Sequence, residues 1–110
     1  VPETIQPTAL RTDGVLLLPL PDTSTLSEAQ RRGAACAWCA TLLTADTAED
    51  AGERPAPEGG QLFPRGCAHC AGAAAYRLLL AHAPACAQCQ TDPACPVAIA
   101  ANRLMRKGGL

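Results

Sequence analysis

Cysteine comes along this chain in pairs of one internal spacing. Cys36-Ala37-Trp38-Cys39, Cys67-Ala68-His69-Cys70 and Cys86-Ala87-Gln88-Cys89 repeat one Cys-x-x-Cys spacing, and a seventh cysteine, Cys95, stands six positions past the last pair. Two intervening residues let the backbone turn so that both sulfurs converge on one ion, and two such pairs supply a tetrahedral set of four thiolates. Seven is an odd number, so a complete disulfide framework leaves one thiol over. No basic stretch followed by an apolar segment opens the chain as an export signal, because Val15-Leu16-Leu17-Leu18 is short and lacks positive flanks. Metal binding in a reducing cytoplasm is the reading that follows.

The chain needs such a staple. Of its 110 residues 48% count as hydrophobic, but 23 are alanine, and Leu, Ile, Val and Phe together number only 20. Alanine buries little area, and a chain this small already buries a modest fraction of its surface. A hydrophobic term this thin does not hold a unique fold without help. No apolar run approaches the length that spans a bilayer, so no membrane role is expected.

Four ligands pair naturally in the first half: Cys36, Cys39, Cys67 and Cys70. For the remaining Cys86, Cys89 and Cys95 a closed site needs a fourth donor. His82, four residues before Cys86, completes a set of three thiolates and one imidazole, with His69 as the alternative. His69 lies inside a knuckle, where its ring points away from an ion held by both flanking sulfurs, and it is read as a surface group. Two Zn2+ ions then use eight ligands. Residues 67–91 contain no Asp or Glu, so no acid or base accompanies the second set, and the chain is read as no enzyme with no small-molecule substrate.

Helical period appears at Tyr76, Leu79, Leu80 and Ala83, a stripe expected to face inward on a helix that Pro84 ends. A second helix is expected from Pro96, with Val97, Ala100, Ala101 and Leu104 inward and Gly108-Gly109 as its stop. Thr25 and Glu28 have the spacing of a capping box for a short helix over 26–34. The Gly- and Pro-rich segment 44–60, where Asp46, Glu49, Asp50, Glu53 and Glu58 face only Arg54, is expected to be a flexible excursion. It should separate strands at 41–44 and 61–63 in a loose hairpin. Trp38, Phe63, Tyr76 and Leu79 are the large groups expected to pack around the first ion. Residues 1–25 are read as a flexible arm with one anchor at 14–20.

Knuckle, hairpin and a pair at the opening turn of a helix, in that order over 36–83, resemble treble-clef zinc fingers. The expected fold is a small metal-stabilised α+β domain over 26–110, mainly α with a minor β-hairpin, and 82–107 supplies the second metal site and the C-terminal helix. The spacing Cys70-x15-Cys86-x2-Cys89-x5-Cys95 is similar to that of WhiB-like regulators, which implies a [4Fe–4S] cluster and redox-sensing transcriptional regulation. The chain departs from that family in lacking a Gly–Trp turn after its last cysteine. Phe63-Pro64-Arg65, Ala75-Tyr76-Arg77, His82-Ala83-Pro84 and Asn102-Arg103-Leu104 also resemble short Cys-rich actinobacterial proteins without assigned activity, which implies cytoplasmic metal binding and no reaction. The function expected is a non-catalytic zinc-binding regulatory or adaptor module that engages a protein partner. DNA is a further candidate partner, through Arg77, Arg103, Arg106 and Lys107, although four cations reach few phosphates.

Overall fold

Serine, not threonine, opens the first helix. Ser27 Oγ accepts from the Gln30 amide at 3.2 Å while Gln30 Oε1 accepts from the Ser27 amide at 2.8 Å, a reciprocal cap that starts α1 (Glu28–Arg31). Thr25 belongs instead to a 3-10 turn, Thr23–Thr25, capped by Asp22. The expected helix over 26–34 is therefore shorter: Leu26 is buried ahead of it, and Gly33 at φ 83° turns the chain away from helical geometry. These details come from a computed structural model of the protein, which describes residues 10–11, 14–92 and 94–110.

The segment expected to be a loose excursion is an ordered hairpin. β1 (Glu49–Asp50) pairs antiparallel with β4 (Arg65–Gly66), and nested inside it β2 (Arg54–Pro55) pairs with β3 (Gln61–Leu62). Gly59 and Gly60, both at positive φ, reverse the chain at the tip, and the Ala56 amide donates to the Gly60 carbonyl at 3.0 Å. Ala51 and Ala56 face inward and are buried, so the run of acidic side chains hid two inward positions. Residues 61–62 thus pair within this segment and not with 41–44, where Leu42 forms only an isolated bridge with Ala35.

The chain before the first turn contributes to the interior. Leu16 and Leu18 are buried, and the Leu18 amide donates to the Ala51 carbonyl at 3.0 Å, so the anchor expected at 14–20 docks beside β1. Of the expected arm, residues 1–9, 12 and 13 lie outside the described residues.

Two helices complete the fold. α2 (Ala68–His82) is an alanine-rich run of high helix propensity, and a 3-10 turn around Pro84 follows it. After the short α3 (Ala87–Thr91), α4 (Pro96–Lys107) starts on proline and stops at Gly108, as its sequence predicts. Of the expected Tyr76/Leu79/Leu80/Ala83 stripe, Leu79 packs against the interior but Tyr76 and Leu80 do not. Ala71, Gly72, Ala74 and Ala75 are buried, while Tyr76 and Leu80 are 47% and 57% exposed.

Close approach of α4 explains the exchange. A Cβ on Gly72 would lie 2.9 Å from the Leu104 carbonyl oxygen, and one on Gly108 would lie 2.7 Å from that of Ala68. Only small side chains fit between backbones this near. The interior is accordingly thin: Leu16, Leu18, Ala51, Ala71, Ala74, Ala75 and Ala101 form its centre, edged by Trp38, Leu78, Leu79, Val97 and Leu104. Phe63, expected beside the first ion, is half exposed.

Candidate metal centres

The first group is assembled from a knuckle and a helix start. The Cys36 amide donates to the Thr41 carbonyl at 2.8 Å and the Ala40 amide to the Cys36 carbonyl at 2.9 Å, which curls residues 36–41 around the two sulfurs. Ala40 takes φ 66°, the left-handed conformation that most side chains avoid. Gln30 Nε2 holds the Cys36 carbonyl at 3.0 Å, and the Ala37 amide donates to the Arg65 carbonyl at 2.9 Å. The knuckle is thereby tied to α1 and to β4. Trp38 lies over Gly66, where a Cβ would stand 2.4 Å from its ring.

β4 then leads directly into α2, whose N-cap is Cys67 and whose first turn carries Cys70. This places both residues at the N-terminus of α2, whose dipole would partly offset the net charge of an ion held by four thiolates. Cys36 Sγ is 4.0 Å and Cys39 Sγ 3.9 Å from Cys67 Sγ, and the four sulfurs lie within 4.8 Å of one another. Metal–sulfur bonds of about 2.3 Å in a tetrahedron set ligands about 3.8 Å apart, so the group fits one ion and is far from sulfur–sulfur bonding.

The second group lies at the other end of α2. His82 is its last residue, Cys86 precedes α3, Cys89 lies within α3, and Cys95 caps α4 and is buried. Cys86 Sγ stands 4.0 Å and His82 Nε2 3.5 Å from Cys95 Sγ, and all four ligand atoms lie within 4.8 Å. Every cysteine is a free thiol. Each group could hold a metal ion on four protein donors.

Ionisation is uneven inside each group. Hydrogen bonds from the Thr41 hydroxyl and amide bring Cys39 down to about 6, and the Ala98 amide, then His82, bring Cys95 to about 6. Desolvation, followed by the neighbouring thiols, pushes Cys70 well up and Cys89 up to about 12. One thiolate therefore forms readily in each set while another resists.

All eight residues singled out from spacing fall into these two groups. His69 is exposed on the first turn of α2 and belongs to neither, so His82 fills the position left open between them. Cys70 lies with the first group, so the WhiB-like set Cys70, Cys86, Cys89 and Cys95 is not brought together. Of the four basic residues considered for DNA, Arg77 is on α2 and the others are on α4, and Lys107 Nζ is engaged by Glu49 at 3.3 Å. Spacing gave no sign of Gln30, Thr41, Ala40 or Gly66, which shape the first knuckle; only the small residue at 66 could have hinted at a ring packed against it.

Fold and site together define a small, mainly helical protein with a minor β-hairpin and two cysteine-rich groups that could bind metal. Comparison with protein-family models, with curated proteins and with solved structures returns no match. Among the described residues no helix is long and apolar enough to cross a membrane.

Proposed function

We propose that the protein is a non-catalytic zinc-binding module of treble-clef-like build that serves as a regulatory adaptor for a protein partner in a reducing, cytoplasmic setting. One observation carries the reading: each group offers four protein donors at the spacing of a single tetrahedral ion. Closed sets of four thiolates, or of three thiolates and an imidazole, are the structural kind, whereas catalytic zinc keeps a position for water or substrate. A [4Fe–4S] cluster puts a body of four irons between its thiolates and needs sulfurs further apart than 4.8 Å, which favours single ions over the cluster.

The surroundings support an adaptor. The cleft between α4 and β1 measures about 150 Å³, below the size of small-molecule sites, and Lys107 on its wall is paired with Glu49. Tyr76 and Leu80, one turn apart on the outer face of α2, are large apolar groups available to a partner. DNA binding is the weaker proposal, since the pairing of Lys107 leaves still fewer cations for phosphates.

Metal analysis with native mass spectrometry on protein purified without oxygen tests the reading. Two zinc ions per chain support it, about four irons replace it with the cluster, and no metal overturns both. Absence of duplex binding even at low salt removes the DNA proposal.

A further inference from the structure

The two groups differ in how far their sulfurs reach solvent. In the first, Cys39 is exposed at the tip of its knuckle, with Cys67 Sγ 3.9 Å away and half-buried. In the second, Cys95 is buried and Cys86 and Cys89 are half-buried, so no cysteine is as open to solvent as Cys39. The knuckle carries a second asymmetry: Ala40, directly after Cys39, is the only described residue other than glycine at positive φ. Backbone held in this conformation relaxes when its restraint is released.

From this juxtaposition we infer that the first centre is a site of oxidative modification by peroxide-class oxidants, with Cys39 attacked first and Cys67 as its resolving partner. The inference rests on the reading that the group holds zinc. The Cys39 thiolate attacks one peroxide oxygen, the O–O bond breaks, and a sulfenic acid and hydroxide form. The Cys67 thiolate then attacks the Cys39 sulfur and expels a second hydroxide. Two electrons pass from the two sulfurs to one peroxide, and both hydroxides are neutralised to water. The ion, left with Cys36 and Cys70, dissociates.

The product is a changed tether. A Cys39–Cys67 disulfide replaces the ion as the link between the knuckle and the start of α2, so the helix pair persists after the first ion leaves. The second centre keeps its ion because it lacks a cysteine as open to solvent as Cys39. A thiol reductant and zinc restore the starting state.

The experiment follows zinc-loaded protein through addition of about one equivalent of hydrogen peroxide. Native mass spectrometry counts ions, peptide mapping locates the bond, and circular dichroism follows helix content. The expected result is loss of one ion at least tenfold faster than the other, a Cys39–Cys67 bond, and retained helix that a reductant returns to the two-ion form. Loss of both ions together, or oxidation first at Cys86, Cys89 or Cys95, overturns the inference while leaving the zinc reading intact. Protein that holds no ion before peroxide is added overturns the zinc reading and the inference with it.

Discussion

Buffered free zinc should set the stability of this protein with a slope that counts its centres. An ion that binds only the folded chain stabilises it by RT ln(1 + [L]/Kd), which is about 1.4 kcal/mol for each tenfold rise in free ion above Kd. Two four-donor groups make the slope about 2.7 kcal/mol per tenfold. With a urea dependence of about 1 kcal/mol/M for a chain this small, the unfolding midpoint moves by between about 2 and 3 M. Ions captured by thiols of the unfolded chain lower both slopes, and the variant's slope stays below that of the wild type. The assay is far-UV circular dichroism in urea under reducing conditions, at three zinc levels fixed by a chelator. Cys70→Ser, which removes one donor of the first group, should halve the slope. A wild-type slope near zero, or a variant slope equal to that of the wild type, refutes the reasoning.

Other expectations follow from the same geometry. At neutral pH each metal-free group already carries one thiolate, Cys39 or Cys95, while Cys70 and Cys89 keep their protons. Loading should therefore expel at least one proton per ion, and affinity should rise with pH, more steeply below about 6, where Cys39 and Cys95 are protonated too. Calorimetry in two buffers of different ionisation enthalpy counts those protons, and a count of zero contradicts the assignment. Gly72→Ala gains about 1 kcal/mol of helix propensity. Its Cβ, 2.9 Å from the Leu104 carbonyl oxygen, forces α2 and α4 apart, an overpacking that costs about 1–3 kcal/mol. A net loss of about 1 kcal/mol in urea unfolding of the zinc-loaded protein is expected, and a more stable variant would show that the helices are not in backbone contact. Gly66→Ala should displace the indole of Trp38 and shift its fluorescence to the red; an unchanged emission maximum would place the ring elsewhere.

The metal-ligand candidates were legible because their chemistry is local. Cys-x-x-Cys fixes two donors by spacing alone, and helix caps at Cys67 and Cys95 follow from the apolar and proline signals beside them. The choice of His82 over His69 was readable from position, since His82 stands four residues before Cys86 whereas His69 lies between the ligands of the other group. A minor hairpin was legible and β3 lies inside the strand expected at 61–63, but its partner β2 and the outer pair of β1 and β4 were not. The hairpin's inward residues, Ala51 and Ala56, are too small to mark a buried strand among Glu49, Asp50 and Glu53, and two-residue ladders leave no alternation to detect. The inward face of α2 failed for a related reason. Hydrophobic periodicity assumes that the largest apolar groups are inside, whereas here the distance between two backbones decides, and Tyr76 and Leu80 are turned out.

Because α2 carries Cys67 and Cys70 at one end and His82 at the other, its residue count is a measuring rod. Its 15 residues span about 22 Å, and a single insertion near its middle swings His82 around the axis by about 100° relative to Cys67. Inserting or deleting one residue there leaves every donor present yet aims the imidazole away from Cys95, whereas changes of whole turns restore the direction and alter only the reach. Length variation in this helix is thus confined to steps that the periodicity of the backbone permits.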